Sequence, residues 1–174
     1  IAVSAISDIG DKILLSNGEE ICYTKRKKKA LREELQKKQE LMIAKISKKK
    51  LPLTPEEYGK YYKICDSLPF AFTDIEMVFN EEKKAVDWIF RYGNEALATL
   101  EKLPLDKMIG NSFSSLFSNM DAKWLHVYER ATLYGETLEI MDYSPEIDTN
   151  LKIICFPTFP GHCGCILFNA DQMK

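Results

Sequence analysis

Histidine, tryptophan and glycine are all scarce in this sequence, numbering 2, 2 and 8 among 174 residues. Two histidines, His126 and His162, leave little material for imidazole acid–base chemistry or for a His-rich metal site. No Gly-rich loop precedes a helix, so the usual phosphate cradle is missing. No apolar run reaches the roughly 18 residues that a membrane-spanning helix needs. A basic start, an apolar stretch and a small-residue cleavage site are also missing, so no secretory leader is read. The five cysteines, Cys22, Cys65, Cys155, Cys163 and Cys165, are odd in number and irregularly spaced, which excludes a disulfide framework. Reduced thiols and a cytoplasmic setting are the expectation. The first residue is Ile1 rather than Met, from which we expect a piece of a longer protein.

What is present is enough apolar material for a core. Hydrophobic residues make up 45% of the chain and aromatic residues 11%, which excludes disorder throughout. The net charge of −2 conceals an asymmetry. Residues 25–50 hold 12 basic and 3 acidic side chains, whereas residues 51–174 hold 11 and 19. The basic stretch is rich in Lys, Glu, Gln and Leu and lacks Gly and Pro, so it predicts a long helix over 27–49. Leu31, Leu35, Met42 and Ile46 form a narrow apolar stripe on it, suited to the seam of a homodimer. Its lysines read as a solvated linker face. The alternative is a nucleic-acid-associated protein that binds through this basic 25–50 helix, with the rest as scaffold. No aromatic residue is interleaved among those lysines for base stacking, which favours the linker.

Punctuation divides the remainder. Apolar runs on either side of Asn17-Gly18 predict an N-terminal hairpin. Leu51-Pro-Leu-Thr-Pro55 ends the basic helix, and Thr54, Pro55 and Glu57 supply a capping box for a second helix reaching about Ser67. Residues 1–24 therefore read as a tail or hairpin of an upstream segment, 25–53 as the linker and 54–174 as the main domain. Within that domain, Phe70–Phe79 and Val86–Tyr92 read as paired strands around the polar turn Asn80–Lys84. Period-two alternation puts Trp88, Phe90 and Tyr92 on one face and Asp87, Ile89 and Arg91 on the other. Asn94 is placed to cap a helix over Glu95–Glu101, and short helical turns follow near Leu105–Ile109 and Phe113–Phe117. Asp121 caps a longer helix to Tyr134, with Trp124, Leu125 and Tyr128 on its buried stripe and Gly135 as its stop. Three strands close the chain, at Thr137–Tyr143, Leu151–Phe159 and Gly164–Asn169. The class predicted is α+β: a five-stranded antiparallel sheet with short helices gathered on one side.

Five segments carry a family resemblance: Phe90-Arg-Tyr-Gly-Asn-Glu-Ala-Leu97, Ile109-Gly-Asn-Ser-Phe113 with Leu116-Phe117, Trp124-Leu-His-Val-Tyr128, Tyr143-Ser-Pro-Glu-Ile147 and Gly161-His-Cys-Gly-Cys-Ile-Leu167. In order and spacing, residues 66–172 resemble PAS sensor domains of bacterial signalling proteins, a subgroup often fused to GGDEF diguanylate cyclase domains. The resemblance implies a non-catalytic sensory module that binds a small ligand or mediates dimerisation and controls a fused output domain. It also implies a pocket between the sheet and the short helices, for which the candidates are Trp88, Phe90, Tyr92, Phe113, Phe117, Trp124, Tyr128, Ile153 and Cys155. A filled aromatic core is the competing reading of the same residues. Among their polar groups Tyr92, Tyr128 and Arg91 stand out, because a buried hydroxyl or guanidinium needs a partner.

Cofactor chemistry finds little support. His126 lies one position off the buried stripe of a helix that supplies a haem ligand in some PAS domains, and haem is not expected from it. A light-sensing flavin domain would carry a reactive Cys after the short helices, where this chain reads Gly110-Asn-Ser-Phe-Ser-Ser115, so flavin is not expected either. His162, Cys163, Cys165 and Cys155 combine zinc-type ligands, but small apolar residues filling a sheet face account for the cysteines, and no metal is expected. No nucleophile–base pair or carboxylate pair emerges from the spacing, so the chain is read as no enzyme.

Overall fold

The computed structural model describes residues 51–173 apart from Leu53, Lys83, Asn119 and Met120. Before residue 51 it describes three strand backbones and nine helical residues between 27 and 41. The strands are β1 (Ile6–Ile9), β2 (Ile13–Leu15) and β3 (Glu20–Ile21), joined as an antiparallel sheet in that order. The expected hairpin is its β2–β3 half, with Ile13 opposite Ile21, while β1 is a strand that the sequence pattern did not announce. The described helical residues, Lys27, Lys29 and Lys37 among them, are exposed. The seam candidates Leu31, Leu35, Met42 and Ile46 lie outside the described residues.

Helix α1 (Pro55–Tyr61) begins as its capping box dictates: Thr54 Oγ1 accepts from the Glu57 amide and the Glu57 carboxylate accepts from the Thr54 amide. A 3₁₀ turn, Lys63–Ser67, then stops at the residue before Pro69, where the pyrrolidine ring pushes Leu68 into an extended conformation. Strands β4 (Ala71–Phe79) and β5 (Ala85–Gly93) form a hairpin. Asn94 Oδ1 accepts from the Leu97 amide and starts α2 (Glu95–Glu101). Short helices α3 (Leu105–Met108) and α4 (Phe113–Leu116) and the longer α5 (Ala122–Tyr134) follow, the last capped by Asp121 and ended by left-handed Gly135 at φ 67°. Strands β6 (Leu138–Ser144), β7 (Thr149–Pro157) and β8 (His162–Asn169) complete an antiparallel sheet in the order β5-β4-β8-β7-β6. Helices α2 to α5 therefore carry the chain from one edge of the sheet to the other. This is the α+β arrangement, a five-stranded antiparallel sheet with short helices, that the sequence predicts.

The short helices α2 to α5 gather on one side of the sheet, as expected, and the flanking helix α1 lies on the other. Helices α2 to α5 cover a face built from Ile75, Trp88, Phe90, Ile153, Cys155 and Cys165. On the opposite face, Tyr58 and Tyr62 of α1 and its C-cap pack with Phe72, Tyr92 and Phe159 in a second core. Among the described residues no helix is long and apolar enough to cross a membrane.

Candidate functional site

The helix-covered face of the sheet is not completely filled. Between it and the helices lies a cavity of about 30 Å³. Thr73 and Ile75 of β4, Trp88 and Phe90 of β5, Leu151 and Ile153 of β7, and Cys165 and Leu167 of β8 form its floor. Phe113 of α4, Trp124 and Tyr128 of α5, Glu101 at the end of α2, Ser144 at the end of β6 and Glu146 of the β6–β7 connection close it. Such a volume seats one or two waters. It is far below the roughly 300–1,000 Å³ of a pocket that encloses a drug-sized molecule.

Six of the nine pocket candidates line this cavity: Trp88, Phe90, Phe113, Trp124, Tyr128 and Ile153. The Trp88 ring stands edge-on to Tyr128 at 5.2 Å and lies 4.3 Å from Phe113. Phe117 backs Phe113 at 4.7 Å and forms no part of the wall. Cys155, wholly buried, sits opposite Cys165 on the neighbouring strand and is likewise behind the wall.

Tyr92 is a correction. Asp74 pairs with Tyr92 but Ile75 pairs with Phe90, so Arg91 is an extra residue in β5. That bulge reverses the alternation and turns Tyr92 to the α1 side, 4.9 Å from Tyr62. There its hydroxyl donates to Asp66 Oδ1 at 2.5 Å, and burial, then that bond, pushes the phenol up. Arg91 reaches the same side and pairs with Glu76 at 2.6 Å, so neither polar group belongs to the cavity.

The cavity's polar character comes from residues that the sequence pattern did not single out. Glu101 is half-buried and lines the cavity. Burial, and then the charge of Glu146, push its carboxyl up from 4.5 to about 7. Among the described residues no hydrogen bond reaches that carboxyl. Glu146 is better provided for: one oxygen accepts from the Asp121 amide and the other from the Ser144 hydroxyl. The Tyr128 hydroxyl also has no hydrogen bond among the described residues, although the residue is only 5% exposed. Burial, followed by the neighbouring cysteines and Glu101, raises it well above the usual phenol range. A signal for Glu101 did exist, because it follows Leu97 by four residues and thus continues the row that Leu97 buries.

The other residues with chemical potential are placed elsewhere. His126 is exposed on α5 and does not line the cavity. Cys163 and Cys165 lie on one face with their sulfurs 3.7 Å apart, and the Cys155 thiol donates to the Leu138 carbonyl. Burial, and for Cys155 above all the bond with Cys163, push these thiols up, so they are held as neutral thiols. His162 points to the other side of the sheet. There its Nδ1 meets Asp74 Oδ1 at 2.8 Å, while Asp74 Oδ2 accepts from the Tyr62 and Thr158 hydroxyls at 2.6 and 2.5 Å. The Tyr62 and Thr158 hydroxyls donate to one carboxylate oxygen while the imidazole meets the other, and the network clamps α1 on the sheet. Among the described residues no group of three or more His, Cys, Asp and Glu is placed to hold a metal ion.

The fold is an α+β domain, a five-stranded antiparallel sheet with short helices, and it holds a small cavity in its core. Among solved structures, the Rhodobacter sphaeroides LOV protein is similar at 14% identity and a TM-score of 0.46, covering 69% of this chain and 70% of its own. The d2 variant of RsLOV gives 14% identity and a TM-score of 0.43, covering 69% and 70%. A likeness of this size carries no argument about this chain. No family model matches the sequence, and neither does any curated protein.

Proposed function

We propose that the chain is a non-catalytic sensory module of PAS type, whose core cavity takes a small ligand and whose occupancy is read by the segments flanking the sheet. The observation that carries this reading is the core cavity itself, bordered by two polar side chains, Glu101 and Tyr128, that make no hydrogen bond among the described residues. A core selected only for packing leaves no such space beside groups able to bind a ligand. The output would be a fused domain, a diguanylate cyclase being the class that the sequence resemblance suggests, and the 27–49 helix would carry a homodimer seam. A ligand that favours one arrangement of α2 and the β6–β7 connection biases the population of states presented to such a partner.

The chain has two tryptophans, and both line the cavity. Intrinsic fluorescence is therefore a direct reporter of occupancy. Titrating a panel of small metabolites of both charges should give at least one saturable change in emission, with a matching rise in Tm. A panel that leaves both emission and Tm unmoved contradicts a ligand-sensing role.

A further inference from the structure

Two carboxylates, Glu101 and Glu146, contribute to one enclosed wall, and no Lys, Arg or His lines the cavity with them. The remaining surface mixes the aromatic rings of Trp88, Phe90, Phe113, Trp124 and Tyr128 with aliphatic side chains and the Thr73 and Ser144 hydroxyls, which already donate to the Tyr92 carbonyl and to Glu146. An anionic ligand finds no cationic partner there. A cation is offered two carboxylates, aromatic rings and a phenolic oxygen. Tyr128, 5% exposed as a residue, lines the same cavity and its hydroxyl makes no hydrogen bond among the described residues, which points to a ligand independently of the carboxylates. From this geometry we infer that the cavity binds a small primary ammonium group, held by Glu101, with Tyr128 and the aromatic walls completing its shell. The inference rests on the sensory reading above and gives that site its ligand class. The volume of about 30 Å³ admits an ammonium head with one or two carbons, not a bulky quaternary amine.

Cation binding and protonation compete at Glu101. The groups that face it are Glu146 from the β6–β7 connection, Tyr128 from α5 and, through Tyr128, Cys165 of β8. Strands β4, β5 and β7 and helix α4 contribute no charged side chain to the wall. On its own helix the adjacent Lys102 ammonium is engaged by the Ile147 carbonyl at 3.0 Å. Burial raises the Glu101 carboxyl to about 7, so near pH 6 it is mainly protonated and an entering ammonium must displace that proton. Affinity therefore rises with pH, by about tenfold from pH 6 to pH 8.

The test is calorimetric titration of the full chain with methylammonium and ethylammonium, alongside acetate and tert-butanol, followed in parallel by tryptophan emission. The expected result is saturable binding of the two ammonium probes only. It should tighten about tenfold from pH 6 to pH 8 and release a proton detectable as a buffer-dependent heat. Glu101→Gln should weaken it at least tenfold and Tyr128→Phe a few-fold, each variant first checked for a cooperative unfolding transition. If Glu101→Gln does not fold, Glu146→Gln provides the second variant, with a loss of at least threefold expected. Binding of tert-butanol or acetate without the ammonium probes overturns this inference and leaves the sensory cavity standing. Ammonium binding unchanged in the Glu101 or Glu146 variant also overturns it. No response to any of the four probes contradicts the ammonium inference, and the metabolite panel then decides separately whether the cavity senses anything.

Discussion

Asn94 shows how much of this fold one side chain can carry. It is 1% exposed and uses its full amide. Its oxygen accepts from the Phe72 and Leu97 amides, and its nitrogen donates to the Cys65 and Phe70 carbonyls at 3.0 Å each. It therefore caps α2, ties the start of β4 to the end of β5, and fastens the turn after α1. The cap was legible in the sequence, because Asn after Gly before an apolar helical row has few other uses. The three longer-range bonds were not, since they depend on segments 22 to 29 residues away. Asn94→Ala removes the cap and leaves buried amide and carbonyl groups unsatisfied, so we expect a loss on the order of 2–4 kcal/mol in urea unfolding. A loss below about 1 kcal/mol would mean that the residue is only a local cap.

At the scale of elements, the two faces of the sheet do different work. The α2–α5 face surrounds the cavity, while the opposite face binds α1 through the buried Asp74 carboxylate and its Tyr62, Thr158 and His162 partners. Strand β8 connects the two, with Cys165 in the cavity wall and His162 in the clamp. Gly164, between them, has no room for a side chain: a Cβ there would lie 2.9 Å from both the Phe156 ring and the Thr158 methyl. Gly164→Ala should cost about 1–3 kcal/mol by overpacking and should loosen α1 before it disturbs the cavity. Hydrogen exchange should then quicken in residues 55–67 and stay unchanged in α5. Equal quickening in both elements would mean that the two faces are not separable. Capping residues and turn dipeptides made these elements readable one by one. Their sidedness was less readable, because the bulge at Arg91 has no glycine or proline to mark it, yet it sends Tyr92 to the far face.

For the molecule as a whole, the average charge of −2 and the apolar content reveal a core but not what the core omits. Aromatic spacing identified part of the cavity wall, since Trp88, Phe90, Trp124 and Tyr128 are buried whether the space between them is filled or not. The carboxylates of its wall do not belong to that aromatic pattern: Glu101 and Glu146 come from segments 45 residues apart in sequence, and only Glu101 carries a signal, its place four residues after Leu97. The central claim is that a carboxyl group is enclosed in this core, and unfolding free energy measured against pH tests it most directly. The folded carboxyl of Glu101 titrates near 7 and the unfolded one near 4.5, so between these values the folded chain holds a proton that the unfolded chain has released. The resulting stability is fully present below about 4.5 and is lost as pH rises to about 7, a fall on the order of 3 kcal/mol. Glu101→Gln, neutral throughout, should lack this fall, so the difference between the two proteins should grow across that window and then level off. Parallel curves for the two proteins would place the Glu101 carboxyl in water and contradict the account.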